Sequence, residues 1–202
     1  MEASEESGSP DLPAHVAALS DRLGEVALVV CLDSGCATYD TLWLTTSLRG
    51  LVGGTLRVDI VTEGLHSGAA GGVVPSTFRI ARHLLDRIED AATGAVLVAA
   101  AQVDIPAGRR TEAAAVAEEL GDGVLERVPL VPGARVVADT PAEALLDKTW
   151  RPSLSVIGAD GLPPTATAGN VLRPTTCLAL SLRIPPGADP EAVRDELAAT
   201  LE

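Results

Sequence analysis

Thr55–Glu63, with the sequence TLRVDIVTE, alternates apolar and polar side chains over most of its length. A period of two residues is the period of a β-strand, in which successive side chains point to opposite faces. Three apolar side chains fall on one face of this stretch: Leu56, Val58 and Ile60. The other face begins with Arg57 and Asp59. The stretch therefore predicts a strand in a sheet that buries one face.

Two later segments, Ser153–Gly158 and Cys177–Ile184, predict further strands of the same sheet. In the second of them the apolar side chains again share one face: Leu178, Leu180, Leu182 and Ile184. Ser181 and Arg183 then point to the opposite face.

Two helices are predicted to cover this sheet. The first has an apolar stripe at helical spacing: Phe78, Ala81, Leu84, Leu85 and Ile88. The second begins at Asp189 and Pro190, which suit the N-cap and the first helical position. Its apolar positions follow at helical spacing: Val193, Leu197 and Leu201.

Residues 94–148, between these helices, predict an insertion on the domain surface. They contain an alanine-rich helical segment near Thr111–Leu120 and a second one at Pro141–Lys148. Turns rich in proline and glycine separate the two segments.

From Thr38 onward the predicted order is thus strand, strand, helix, insertion, strand, strand and helix. Strands grouped around two helices indicate the α+β class. We expect residues 38–202 to form a four-stranded antiparallel sheet with two helices on one face.

Residues 1–37 have a different pattern. Ser9 and Pro10 predict a helix start, and apolar residues recur at helical spacing after them: Leu12, Val16, Leu19 and Leu23. Val26–Leu32 is a continuous apolar run, typical of a strand covered on both faces in a parallel α/β sheet. The pattern predicts a helix followed by a strand of the α/β kind, and we expect residues 1–37 to be poorly anchored, because the sequence predicts no neighbours for this strand.

The composition excludes several functional classes. Among 202 residues, 47% are hydrophobic, yet no apolar run approaches the ~18 residues that a membrane span needs. The formal charge of −13 argues against nucleic acid, because phosphate binding requires clustered Lys and Arg. The acidic N-terminus has no signal-peptide pattern. Three unevenly spaced cysteines argue against a disulfide framework and for a reducing cytoplasm.

Three carboxylates near the N-terminus are candidates for metal chemistry. Glu5 and Glu6 are adjacent, and such a pair can divide labour between metal binding and proton transfer. Asp33 directly follows the apolar run, at the strand end where ligands of α/β sheets collect. Taken alone, the glutamates are more often a solvated helix start and the aspartate an ordinary turn residue.

The loop Gly64–Gly72 contains four glycines and one histidine, His66. Glycines allow close backbone approach, and free amides at the start of a following helix favour an anion. The imidazole can donate a hydrogen bond to a developing oxyanion. A solvated surface histidine is an equally good interpretation of this residue.

A fourth group lies near the end of the chain. Asn170 opens the segment Asn170–Pro174, and Arg183 follows near the end of a predicted strand. Arginine is suited to bidentate capture of a carboxylate, although a solvated strand arginine is the commoner case.

In chain order these motifs resemble those of the zinc exopeptidases that include carnosine dipeptidases, glutamate carboxypeptidases and aminoacylases. The matching motifs are Glu-Glu-x-Gly-Ser at Glu5–Ser9, the strand-end Asp33, Leu48-Arg49-Gly50, Leu-His-Ser-Gly…Gly-Gly at Leu65–Gly72, Trp-Arg-Pro-Ser-Leu-Ser at Trp150–Ser155, and Gly-Asn-Val…Leu-Arg-Ile-Pro at Gly169–Pro185. The resemblance covers nearly the whole chain, and the insertion is most similar to the carnosine-dipeptidase branch. It implies a ferredoxin-like dimerisation, or lid, domain at residues 38–202 and a remnant of the zinc peptidase catalytic domain at residues 1–37.

The resemblance also implies roles for individual residues. Glu5 would be the general base that activates a zinc-bound water, while Glu6 and Asp33 would each bind one of two zinc ions. His66 would reach into the partner subunit's active site and stabilise the oxyanion. Asn170 and Arg183 would contact the peptide or N-acyl amino acid substrate, the arginine near its free carboxylate. The implied homodimer pairs an edge strand and its adjacent helix, here at residues 76–91.

This sequence departs from the family in its metal ligands. The family needs a His-x-Asp pair and a late histidine, but none of His15, His66 and His83 begins a His-x-Asp pair. We therefore expect a fragment that binds zinc poorly and hydrolyses nothing alone. The alternative is a non-catalytic homodimerisation module, which tight zinc binding and dipeptide turnover would exclude. An unrelated ferredoxin-like small-molecule binder would require the whole motif series to be coincidental.

Overall fold

A computed structural model describes residues 4–31, 35–126 and 128–202 of the chain. The chain divides into two compact units, Met1–Leu44 and Thr45–Glu202. Within the described residues, no helix is both long and apolar enough to cross a membrane.

The first unit contains α1 (Leu12–Ala18) and α2 (Ser20–Leu23), preceded by a 3-10 turn at Glu5–Ser7. The helix starts at Leu12 rather than Pro10, because Asp11 occupies the N-cap and Ser9 has a positive φ of 48°. The apolar residues predicted at helical spacing are 41–51% exposed: Leu12, Val16, Leu19 and Leu23. They form no buried face.

The strand predicted at Val26–Leu32 is wrong for residues 26–31, which adopt no regular element; Leu32 lies outside the described residues. Four of its apolar side chains are 57–78% exposed: Val26, Leu28, Val29 and Val30. A strand is stable only when a neighbouring strand completes its hydrogen bonds. No strand of the described chain pairs with this segment.

The second unit contains most of the regular structure. In chain order its elements are β1 (Gly50–Asp59), β2 (Leu65–His66), α3 (Ser67–Ala70), α4 (Thr77–Leu85), a 3-10 turn at Ala99–Ala101, α5 (Ala107–Leu120), a 3-10 turn at Gly121–Val124, α6 (Pro141–Thr149), β3 (Ser153–Asp160), a 3-10 turn at Thr165–Thr167, β4 (Val171–Leu172), β5 (Thr175–Ile184) and α7 (Pro190–Leu201).

The main sheet is antiparallel, with β5 between β1 and β3. The α+β class is confirmed, but this sheet has three strands rather than the predicted four. β1 pairs with β5 from Gly50↔Ile184 to Asp59↔Thr175, so it starts five residues before the predicted Thr55. This pairing takes up residues 50–54, and no separate strand forms in the described residues 35–49.

The core lies between one face of the sheet and helices α4 and α7. The predicted inward face of β5 is confirmed, with Leu178, Leu180, Leu182 and Ile184 all buried. On β1, Val52, Leu56 and Val58 are buried. Ile60, predicted to join them, lies beyond the end of the strand and is 37% exposed.

Helix α4 buries a slightly different stripe from the predicted one. Ala81 and Ile88 are buried as expected, but Phe78 is 43% exposed. Thr77 takes the buried position, because its hydroxyl forms a hydrogen bond of 2.8 Å with the buried hydroxyl of Thr176 on β5. A paired hydroxyl can be buried at little cost.

The predicted insertion begins too early. Its two helices are present as α5 and α6, but Val96, Val98 and Ala101 belong to the core. The carboxylate of Glu196 on α7 accepts the amides of Ala99 and Ala100 at 2.8 and 2.7 Å. Residues 96–101 are therefore part of the packed domain.

Candidate functional site

A two-stranded ribbon brings together two of the predicted site residues. β2 pairs antiparallel with β4, so that His66 lies opposite Val171. One residue further on, the amide of Ser67 donates to the carbonyl of Asn170 at 2.9 Å. His66 and Asn170, far apart in the sequence, therefore lie side by side at one end of this ribbon.

His66 is held in a defined orientation by its own backbone. It is the N-cap of α3, and its Nδ1 accepts a hydrogen bond of 3.1 Å from the amide of Gly68. Because a neutral imidazole carries one proton, an accepting Nδ1 leaves that proton on Nε2. The side chain is exposed. Nε2 is therefore a hydrogen-bond donor on an exposed side chain, and a donor is what stabilisation of an oxyanion requires.

Two glycines of the loop leave no room for a side chain. A Cβ on Gly68 would lie 2.9 Å from Cε1 of His66. A Cβ on Gly71 would overlap the carbonyl oxygen of Ser67. The close backbone approach expected from the glycines is thus real, but Gly68 gives its amide to His66 rather than to an external anion.

Arg173 lies three residues after Asn170, and sequence reasoning gave it no role of its own. Its Nε donates to the carbonyl of Gly161 at 2.8 Å, and the side chain is half-buried. Gly161 has a φ of +87°, and a Cβ there would overlap the Thr175 carbonyl. A specific turn thus orients the Arg173 guanidinium near the start of β5. The sequence feature that could have indicated a role for Arg173 is its position inside the Asn170–Pro174 motif.

Arg183 lies at the opposite end of β5, where it pairs in register with Leu51 and Ser153. From Thr175 to Arg183 the strand extends roughly 27 Å, at about 3.4 Å per residue. The structure therefore does not bring Arg183 to His66 and Asn170.

Arg49, from the Leu-Arg-Gly motif, forms hydrogen bonds that connect distant parts of the domain. Its Nη1 donates to the carbonyls of Asp147 and Arg151 and to Oγ of Ser153, at 2.9–3.1 Å. Burial, followed by the positive charge of Arg183, lowers the pKa of Arg49. These contacts tie the start of β1 to the connection between α6 and β3.

The predicted metal ligands do not form a metal centre in the described residues. Glu5 and Glu6 lie in the 3-10 turn Glu5–Ser7 and are exposed. Asp33 lies outside the described residues. No group of three or more His, Cys, Asp or Glu side chains in the described ranges could hold a metal ion. The donors in the described ranges therefore do not by themselves make up the two-zinc centre that the resemblance implies.

Comparison with a known family and with solved structures gives consistent results. The model of the peptidase dimerisation domain, M20_dimer, matches residues 46–202. The M20 family metallo-carboxypeptidase Sso-CP2 from Sulfolobus solfataricus superposes with a TM-score of 0.60 at 18% identity, covering 76% of this chain and 35% of that chain. Human carnosine dipeptidase 1 superposes with a TM-score of 0.60 at 21% sequence identity. The match covers 80% of this chain and 35% of that chain.

The di-peptidase Dug1p from Saccharomyces cerevisiae gives a TM-score of 0.57 at 23% identity, covering 76% of this chain and 33% of that chain. At these identities the likeness concerns the fold. The present chain spans about a third of the length of each of these three structures.

Proposed function

The chain belongs to the peptidase dimerisation domain family, and from this we propose that it is the dimerisation, or lid, portion of a zinc-dependent exopeptidase of the dipeptidase kind. The complete enzyme hydrolyses a peptide or amide bond in the cytoplasm. Support comes from the family match and from two structural neighbours that are dipeptidases by name. Because this chain spans about a third of such proteins, its own contribution is self-association and presentation of substrate-contacting residues.

The observation that carries the proposal is the orientation of His66. Its Nδ1 accepts the Gly68 amide and its side chain is exposed, while the backbone of the next residue, Ser67, is hydrogen-bonded to Asn170. A donor fixed in this way can approach a reacting carbonyl that lies outside its own domain. We assign His66 to the partner subunit's active site, where it stabilises the negative charge that develops on that oxygen.

Asn170 would contact the substrate beside His66. Two arginines are candidates for binding the substrate carboxylate. The family resemblance implies Arg183, and Arg173 is a candidate because it lies three residues after Asn170. The distance along β5 favours Arg173 as the guanidinium that acts together with His66.

Glu5, Glu6 and Asp33 retain their proposed roles only within a complete catalytic centre: Glu5 as the base, Glu6 and Asp33 as metal ligands. Since none of the three histidines of this sequence begins the His-x-Asp pair that the family needs, we expect this chain alone to be inactive. The same observation keeps open the alternative, a non-catalytic homodimerisation module.

Three measurements on the intact chain test these assignments. Sedimentation at high micromolar concentration should give a dimer, and a monomer there would contradict the family role. Calorimetric titration with zinc should show no tight binding, and a dipeptide hydrolysis assay should show no turnover. Tight binding together with turnover would contradict the expected inactivity of the isolated chain and would also exclude the non-catalytic alternative.

Dipeptide titration followed by NMR separates the two functions further. A peptidase lid should show perturbed resonances at His66, Asn170 and Arg173. A purely structural module should leave them unchanged while still dimerising.

A further inference from the structure

Helix α4, with the turn that continues it to Glu89, has an exposed face with ordered charges. Its opposite face is buried through Thr77, Ala81 and Ile88. This face carries basic side chains in its first half and acidic ones after them: Arg79, Arg82 and His83, then Asp86 and Glu89, of which Glu89 is half-buried and the other four are exposed. We call these five residues the charged stripe.

The charged stripe lines an open groove, together with the apolar side chains of Ile80 and Leu85. None of its five members belongs to an ion pair of the described residues. The neighbouring Arg87 differs, since its guanidinium donates to the carbonyl of Thr200 on α7. The charges of the stripe are therefore unneutralised within the described part of the chain, on a surface that also offers apolar contact.

The order of the charges makes the stripe complementary to itself. If a second copy lies antiparallel to the first with the two-fold axis passing near Leu84, position 79 faces position 89 and position 82 faces position 86. Arg79 then meets the partner's Glu89, and Arg82 meets the partner's Asp86. The pairing occurs twice, because a two-fold interface repeats every contact. A parallel copy would instead set like charges against each other.

We propose that a second copy of this chain docks on the charged stripe in antiparallel orientation, and that the Arg79–Glu89 and Arg82–Asp86 pairs between subunits set the register. The proposal rests on the proposed function, for which the resemblance already implies an interface helix at residues 76–91; the new element is the set of residue pairs that fixes the register. Four ion pairs distributed over roughly 15 Å of the helix and the turn that continues it, taken at about 1.5 Å per residue, discriminate against displaced registers.

Charge reversal in the two halves of the stripe tests the register. Arg79→Glu with Arg82→Glu reverses the basic half, and Asp86→Arg with Glu89→Arg reverses the acidic half. Each double variant places like charges opposite each other in its own dimer, so its dissociation constant should rise roughly tenfold or more. Mixing the two variants restores opposite charges, and a heterodimer should form.

A matched control keeps the change in net charge but moves it away from the stripe. Arg110→Glu with Arg135→Glu reverses two exposed arginines elsewhere. This variant should dimerise as the unaltered chain does. Circular dichroism establishes that each variant remains folded, and sedimentation equilibrium measures the dissociation constants.

The outcomes separate this proposal from the proposed function. An unaltered dimer, weakened variants and a restored heterodimer support the register. If the unaltered chain is dimeric and both reversed variants dimerise equally well, the register is wrong while the dimerisation role stands. If the unaltered chain is monomeric, the dimerisation role fails and the register with it.

A measurement on the unaltered chain is independent of how well the variants fold. Salt screens exposed charge pairs, so the dissociation constant should increase steadily with ionic strength. A dissociation constant that salt leaves unchanged would overturn the register.

Discussion

At the scale of single residues, the site depends on glycines at which an added Cβ would clash with neighbouring atoms. Gly68 both donates its amide to His66 and leaves room for the imidazole above it. The carbonyl of Gly161 accepts a hydrogen bond from Nε of Arg173, and a Cβ on Gly161 would overlap the carbonyl of Thr175 in the turn that holds this arginine. The functional side chains are thus positioned by the backbone of small neighbours, and changes to those neighbours act on the site indirectly.

Gly68→Ala should disturb His66 without unfolding the domain. The new Cβ would lie 2.9 Å from the imidazole, so the ring must rotate and give up its Nδ1 hydrogen bond. Imidazole nitrogen shifts in NMR would report this loss. Gly108→Ala, in α5 with open space around it, is the control and should stabilise the helix by about 0.5–1 kcal/mol. Unchanged His66 shifts in Gly68→Ala would contradict the prediction.

Asp59, at the end of β1, should titrate below the usual range for aspartate. Hydrogen bonds from Arg57, followed by one from the hydroxyl of Thr175, lower the pKa of this carboxyl. A lowered pKa means that the carboxylate contributes stability above the unfolded-state value of about 4, and that this contribution disappears as pH falls through the folded-state value.

Carboxyl NMR titration should therefore find the pKa of Asp59 moving upward in both Arg57→Gln and Thr175→Val, with the larger movement in Arg57→Gln. Equal values in all three proteins would show that these partners do not hold the carboxylate.

At the scale of elements, helix α7 and the 3-10 turn Ala99–Ala101 form one unit. Both oxygens of Glu196 accept backbone amides of that turn, and Ala101 is completely buried beneath it. The carboxylate thereby satisfies two donors at once. It also explains why residues 96–101 belong to the core rather than to the surface insertion.

Glu196→Gln should lower the free energy of unfolding by about 1–3 kcal/mol, because an amide has one acceptor oxygen where two are needed. Glu118→Gln, on the exposed side of α5, is the control and should change it by less than about 0.5 kcal/mol. Urea denaturation monitored by circular dichroism measures both. A Glu196→Gln protein as stable as the control would mean that water replaces the lost acceptor.

At the scale of the whole molecule, the two units differ in how much they bury. All the core residues come from the second unit, while the described residues of the first are exposed or half-buried. The charge of −13 is spread over the whole chain, so the ordered stripe on α4 is a local exception in an acidic molecule.

Amide hydrogen exchange should therefore be strongly uneven along the chain. Amides of β5, paired on both sides, should exchange only through global unfolding, whereas residues 26–31 should exchange rapidly because they belong to no hydrogen-bonded ladder. Strong protection of residues 26–31 in a monomeric sample would contradict this expectation.

The sequence alone determined what depends on local periodicity. The alternation in Cys177–Ile184 predicted the buried face of β5, and the caps and apolar spacing predicted α7 and its buried residues. These features follow from side-chain direction along a single strand or helix. The motif series likewise identified the family that the domain match confirms.

Only the tertiary structure decided which segments meet. The apolar run at residues 26–31 is as strand-like in sequence as β5, but no strand in the described part of the chain pairs with it. Gly50–Gly54 joins a strand because β5 lies beside it. The same holds for the site: pairing of β2 with β4 places His66 beside Asn170, and the length of β5 separates both from Arg183. Strand pairing is a contact between distant segments, and no period within one segment encodes its partner.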